Sequence, residues 1–192
     1  FKQKTAYEIR NCDWSSDVCS SDLFRKLFEL PQITIAKING DTFGGGLELA
    51  LACDLRISRS DARLGFPENR VGTAPGWNGF QRAVEIVGVA RAKELILTGV
   101  SIDAAKAESW GLVHQSVSYQ ELDRATESLQ SEIFKSAPHV QKISKQILNT
   151  FQSSHSNTVM ESIAGAFAHQ TKDFQEGVSA FKEKRPSNFR GE

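Results

Sequence analysis

The sequence predicts an α/β fold followed by a helical C-terminal part. Three observations lead to it. β-branched and apolar runs alternate with helix-forming stretches through residues 33–117. Glycine and proline turn signals at Asn39-Gly40, Gly44-Gly45-Gly46 and Pro75-Gly76 separate those runs. Beyond residue 119 only helical periodicity remains. Strands interleaved with helices imply an α/β core, and helices alone imply a separate helical region.

Phe24, Leu27, Phe28 and Leu30 read as the end of an amphipathic helix stopped by Pro31. Residues 33–38 are a β-branched run ending in the turn signal Asn39-Gly40. The triple glycine follows, then a short apolar helix over 47–53. Strands are predicted at 54–58 and 62–66, and Pro75-Gly76 marks a loop. Helices at 79–87 and 90–97 are separated by Gly88. Asp103 suits the N-cap of a helix over 104–110 that Gly111 terminates. A short strand at 112–117 precedes longer amphipathic helices at 119–135 and 138–151, with Pro138 suited to a first helical position. A last helical pair is predicted at 160–170 and 173–185.

Composition breaks once, near residue 23. Residues 11–23 contain Ser-Ser-Asp twice and two of the three cysteines, with neither helical nor strand period. The run 1–23 resembles translated sequencing-adapter sequence, so it is expected to be non-native and disordered. The alternative is a genuine lineage-specific segment. The domain is expected over 24–192, as an α/β core at 24–117 and a helical region at 118–192.

Lys+Arg and Asp+Glu both number 23, giving zero formal net charge. That balance weighs against a nucleic-acid binder driven by bulk electrostatics. No run of 18 or more apolar residues predicts a membrane span. No basic segment followed by an apolar one opens the chain, so no signal peptide is expected. Three irregularly spaced cysteines form neither a disulfide framework nor a zinc site. A reducing cytoplasm is expected, with an organelle matrix as the alternative if a transit peptide precedes residue 1. His114, His139, His155 and His169 are scattered, so no metal site is expected. Cys53 and Trp110 read as packing residues.

Two features point to chemistry. Gly44-Gly45-Gly46 lies between a strand and a helix, where glycine lets backbone approach a ligand closely. Amides at a helix start point outward unpaired, and the helix dipole favours negative charge there. Such donors suit an oxyanion hole. Glu48 follows one turn inside. The second feature is Leu64-Gly65-Phe66-Pro67-Glu68, where a proline fixes the approach to a carboxylate. Two carboxylates around one water, in different environments, divide acid and base work. A tight turn with a solvent-facing Glu48 and an exposed loop Glu68 are the plainer readings. Spacing alone does not decide between them.

The run Ile35-Ala36-Lys37-Ile38-Asn39-Gly40, then residues 44–57 from Gly44-Gly45-Gly46-Leu47-Glu48 to Leu55-Arg56-Ile57, resembles the core signature of the enoyl-CoA hydratase/isomerase (crotonase) family. Gly65-Phe66-Pro67-Glu68, Gly72, Pro75-Gly76, Gln81-Arg82, Leu97-Thr98-Gly99 and Gly111-Leu112-Val113 continue it in order, and residues 176–185 complete it. The resemblance implies a crotonase-like (ClpP/crotonase) ββα spiral with a C-terminal helical trimerisation region. It implies a homotrimer or a dimer of trimers, and an acyl-CoA thioester substrate. No separate cofactor is implied, because CoA is part of the substrate. It implies that the Gly45 amide is one of two donors to the thioester oxygen. Glu48 would chiefly activate water and Glu68 would handle the proton at C2 of a trans-2-enoyl-CoA. Gly44, Gly76, Trp77, Phe80 and Lys184 are the implied substrate-binding positions. Retaining both acids favours hydration over double-bond isomerisation, which needs one acid/base group. Isomerase, another acyl-CoA activity of the family and an inactive fragment stand as alternatives. An RNA-binding relative is disfavoured by the charge balance.

Two departures accompany the resemblance. The family's other oxyanion donor lies in an Ala-Gly and Asp motif that residues 1–23 do not resemble, and the basic residues near it that hold CoA phosphates are missing too. The 192-residue chain is therefore expected to be nearly inactive. Related hydratases also carry Gly-Gly-Thr ahead of Gln-Arg, where this chain has Asn78-Gly79-Phe80. Trp77 and Phe80 either line the acyl pocket or pack in the core.

Overall fold

A computed structural model of the protein describes residues 17–151 and 169–190. Helix α1 (Asp17–Glu29) ends two residues ahead of Pro31, as the proline demands. It begins at Asp17, ahead of the composition break near residue 23, although no apolar period marks residues 17–23.

Six short strands then form two three-stranded sheets. Strands β1 (Ile35–Ile38), β3 (Leu55–Arg59) and β6 (Gln115–Val117) lie parallel in the order β1-β3-β6. Strands β2 (Thr42–Phe43), β4 (Arg63–Gly65) and β5 (Ser101–Asp103) form the other sheet, with β5 antiparallel to β4. Helix α2 (Gly45–Ala52) follows β1 and β2, and helix α3 (Gly79–Val87) follows β3 and β4. The second ββα unit lays its strands beside those of the first, pairing Ile35 with Leu55 and Phe43 with Gly65. This is the expected ββα spiral. Helices α4 (Val89–Thr98) and α5 (Ala104–Ser109) lie either side of β5 in the chain. Strands β2 and β5 were not predicted, because two or three residues are too few to show a strand period.

The core forms where the strands meet α2. Leu47, Ile57, Leu64, Phe66, Leu95 and Leu112 are fully buried. α2 is apolar nearly all round, as a helix enclosed on most sides must be. Asp103 does cap α5, its carboxylate accepting the Lys106 amide at 2.7 Å, while also ending β5.

The C-terminal part attaches in two ways. Helix α6 (Tyr119–Phe134) opens on a Ser118/Glu121 capping box and packs on β1, β3 and β6. Helix α7 (Pro138–Thr150) has Pro138 in its first turn and buries only Lys145. The Lys145 ammonium donates to Asp54 at 2.7 Å and to the Gln32 carbonyl at 2.9 Å. Helix α8 (Lys172–Glu183) is capped by Thr171 and packs against a 3-10 turn at Glu68–Val71. Most of the helix predicted at 160–170 lies outside the described residues. No described helix is long and apolar enough to cross a membrane.

Candidate active site

The site is built on the first turn of α2. Gly44 caps that helix at φ 54° and ψ −129°, a backbone state that side chains disfavour. Its amide donates to the Gly65 carbonyl at 3.0 Å, which ties the helix start to β4. Gly44 offers no side-chain cap. The amides of Gly45, Gly46 and Leu47 precede the first intrahelical bond, which runs from the Glu48 amide to the Gly44 carbonyl at 2.9 Å. An anion at this end of α2 would meet uncapped donors and the positive end of the dipole.

Glu48 does not face solvent. It is 1% exposed, and its Oε1 accepts the amides of Trp77 at 2.8 Å and Gly79 at 2.9 Å. Two fixed backbone donors on one carboxylate oxygen hold the group in place. The donors come from the loop between the 3-10 turn and α3 and from the first residue of α3. Asn78 there adopts a left-handed conformation at φ 66°.

Glu68 is set differently. It opens the 3-10 turn directly after Pro67. Both its carboxyl oxygens are buried, and neither has a hydrogen-bond partner. Burial pushes its pKa up to about 7. The carboxyl lies against Gly44, where a Cβ would stand 3.0 Å from Glu68 Oε1. Glu68 therefore lies against the start of α2, while the Glu48 carboxylate, carried on that helix, lies against the start of α3. One is supplied with donors and the other stripped of them, the contrast that separates a base from an acid.

The Glu68 turn is braced from outside. Gly72 ends it at φ 74°, and a Cβ there would stand 2.6 Å from the Asp173 carbonyl oxygen. Gly177 of α8 lies against the Val71 backbone with no room for a side chain. Arg70 donates to the Thr98 carbonyl at 3.1 Å.

The other predicted positions are spread more widely. A Cβ on Gly76 would meet nothing within 4 Å, so open space adjoins it. The half-buried Trp77 ring lies on Phe24, centroids 5.1 Å apart. Phe80 is half-buried against the core. Lys184 is exposed at the left-handed end of α8, and no described contact joins it to either acid. Cys53 caps the C-terminus of α2, where burial raises its thiol pKa and Arg56 opposes the shift. That disfavours a nucleophilic thiolate. The His114 Nδ1 accepts the Arg56 amide at 3.1 Å. Trp110 packs partly on the core with Arg91 and Lys106 over its ring. His155 lies outside the described residues. No group of three metal-ligating side chains occurs among the described residues.

Residue reading overlooked Gly79 and the backbone of Trp77 as partners of Glu48. A Cβ on Gly79 would stand 2.5 Å from Glu48 Oε1 and 2.8 Å from Pro75 Cβ. A glycine at the first position of a predicted helix was the available signal.

Residues 3–192 match the family model described as enoyl-CoA hydratase/isomerase. The chain is 37% identical over 170 residues to a short-chain-enoyl-CoA hydratase of Clostridium acetobutylicum, covering 88% of this chain and 65% of that protein. It is 39% identical over 169 residues to the mitochondrial methylglutaconyl-CoA hydratase of Rattus norvegicus, covering 85% and 54% respectively. A carnitinyl-CoA hydratase from Mycobacterium avium superposes with a TM-score of 0.80 at 31% identity, covering 85% of this chain and 64% of that one. The chain thus spans less than two thirds of the length of each of these relatives.

Proposed function

The chain belongs to the enoyl-CoA hydratase/isomerase family, and on that premise we propose that its protein is an enoyl-CoA hydratase. It adds water syn across the double bond of a trans-2-enoyl-CoA to give a 3-hydroxyacyl-CoA. The observation that carries this reading is the pair of unlike carboxyl groups, Glu48 on two backbone donors and Glu68 buried without any.

Glu48 takes a proton from water as its oxygen bonds to C3. The electron pair of the double bond moves toward the thioester carbonyl, and the Gly45 amide donates to the oxygen that gains charge. Glu68, whose burial pushes its pKa up to about 7 so that a proton is available near neutrality, delivers a proton to C2. The net change is addition of one water. After the product leaves, a new water between the acids carries the proton from Glu48 back to Glu68, so their titrations belong to the pair. Gly44 and Gly76 leave room for the thioester, and Trp77 and Phe80 border the acyl end. Lys184 contributes to CoA binding. CoA enters as part of the substrate, and the protein works as a homotrimer or dimer of trimers in the cytoplasm or an organelle matrix.

A hydratase needs both acids and an isomerase only one, which favours hydration. The test follows the loss of enoyl absorbance with crotonyl-CoA, using the full-length gene product and the 192-residue chain. Hydration by the full-length product, lost in Glu48→Gln and Glu68→Gln, is expected. Double-bond migration without hydration, or turnover indifferent to both substitutions, overturns the reading.

A further inference from the structure

The Glu48 carboxylate depends on the loop that leads into α3 and on the first residue of that helix, so something must orient this junction. The Trp77 amide belongs to the peptide plane joining residues 76 and 77. The Gly79 amide belongs to the plane joining 78 and 79. Both donate to Glu48 Oε1, at 2.8 and 2.9 Å. The plane between them carries the Trp77 carbonyl, and the Arg82 guanidinium donates to that carbonyl at 2.8 Å. The Arg82 amide also donates to the Asn78 carbonyl at 3.0 Å, gripping the far side of the plane whose N–H end faces Glu48.

Arg82 is itself costly to place there. It is 6% exposed, and its guanidinium lies over the Phe28 ring of α1 at 5.4 Å from the centroid. A buried cation is retained only where its hydrogen bonds and contacts offset desolvation. A purely apolar side chain would fill the same space more cheaply, so the donor function is what distinguishes arginine at this position.

We propose that Arg82 is a positioning residue for Glu48: by holding the Trp77 carbonyl it turns the flanking Trp77 and Gly79 amides onto the carboxylate. This rests on the hydratase reading only for its effect on turnover. The orientation of the amides stands apart from it.

The experiment compares Arg82→Met, which keeps the apolar stem over Phe28 but cannot donate, with Arg82→Lys, which keeps a cationic donor. Amide resonances of 15N-labelled intact protein report the two hydrogen bonds, and Glu48→Gln identifies the shift that loss of the carboxylate produces. Arg82→Met is expected to move the Trp77 and Gly79 amide protons upfield, as Glu48→Gln does, and to lower kcat at least about tenfold with KM nearly unchanged. Arg82→Lys is expected to recover part of both. A variant that loses thermal stability while both resonances and kcat stay in place overturns the proposal. Should Arg82→Met not fold, Arg82→Gln, whose amide falls short of the Trp77 carbonyl, is read by the same resonances with the same two outcomes. A wild-type protein without hydratase activity, but with amide shifts that follow Arg82, would sink the hydratase reading and leave the positioning role standing.

Discussion

Gly79 and Glu48 meet at a distance that admits hydrogen and excludes carbon. The Gly79 amide donates to Glu48 Oε1 at 2.9 Å, and a Cβ on Gly79 would stand 2.5 Å from that same oxygen. Gly79→Ala should therefore displace the carboxylate or the loop. The expected cost is about 1–3 kcal/mol of stability, as for overpacking elsewhere. Urea denaturation of the variant beside wild type measures it, and a cost within experimental error contradicts the geometry.

Replacing either acid tests the division of labour. Loss of a positioned general acid or base typically costs roughly 10²–10⁴ in rate. Glu48→Gln and Glu68→Gln should each fall in that range under steady-state assay of the full-length protein. Glu48→Ala should in addition lose about 1–3 kcal/mol, because it leaves the Trp77 and Gly79 amides buried without an acceptor.

Glu68 makes stability depend on pH. Its folded pKa is raised to about 7 from an ordinary 4.5, so between those values the folded state binds more protons than the unfolded one. Its contribution is fully present below pH 4.5 and is lost as pH rises through about 7. The loss is on the order of 3 kcal/mol. Glu68→Gln, always neutral, should flatten this part of the profile and exceed wild type in stability at pH 8. Equal pH slopes for the two proteins would contradict the assignment.

The ion pair of Lys145 and Asp54 tethers α7 to the core. Lys145 Nζ lies 2.7 Å from Asp54 Oδ2, which also accepts the Thr34 amide at 2.7 Å and its hydroxyl at 2.8 Å. Lys145→Met leaves the Asp54 charge with Thr34 alone and should cost about 3 kcal/mol, in line with breaking a buried pair. Thermal denaturation reads the loss. Hydrogen exchange should show it concentrated in α7, where no other residue is fully buried.

The brace on Glu68 is testable at Gly177, which lies against the Val71 backbone without space for a side chain. Gly177→Val should push α8 off the turn, costing roughly 1–3 kcal/mol as overpacking does. The Glu68 pKa should fall toward its ordinary value as water reaches the carboxyl. Titration of the labelled carboxyl carbon measures that shift.

Much of this was legible in residue order. The Gly44–Gly46 run, the Pro67-Glu68 step and the cap at Asp103 each depend on neighbours a few residues away. Strands β2 and β5 were not legible, because their pairing to β4 rather than any local period defines them. Trp77 and Phe80 were equally readable as pocket or core, and the structure gives both rings packing contacts, with Phe24 and with the core cluster.

By itself the sequence determined the α/β class and the main helix ends and singled out the two acids as candidates, since glycine, proline and caps act through backbone geometry close by. The tertiary structure alone decided that Glu48 is 1% exposed on the Trp77 and Gly79 amides and that Glu68 lies bare against Gly44. A carboxyl's charge state follows from which donors and how much water surround it. Those neighbours arrive from distant parts of the chain only when the spiral closes.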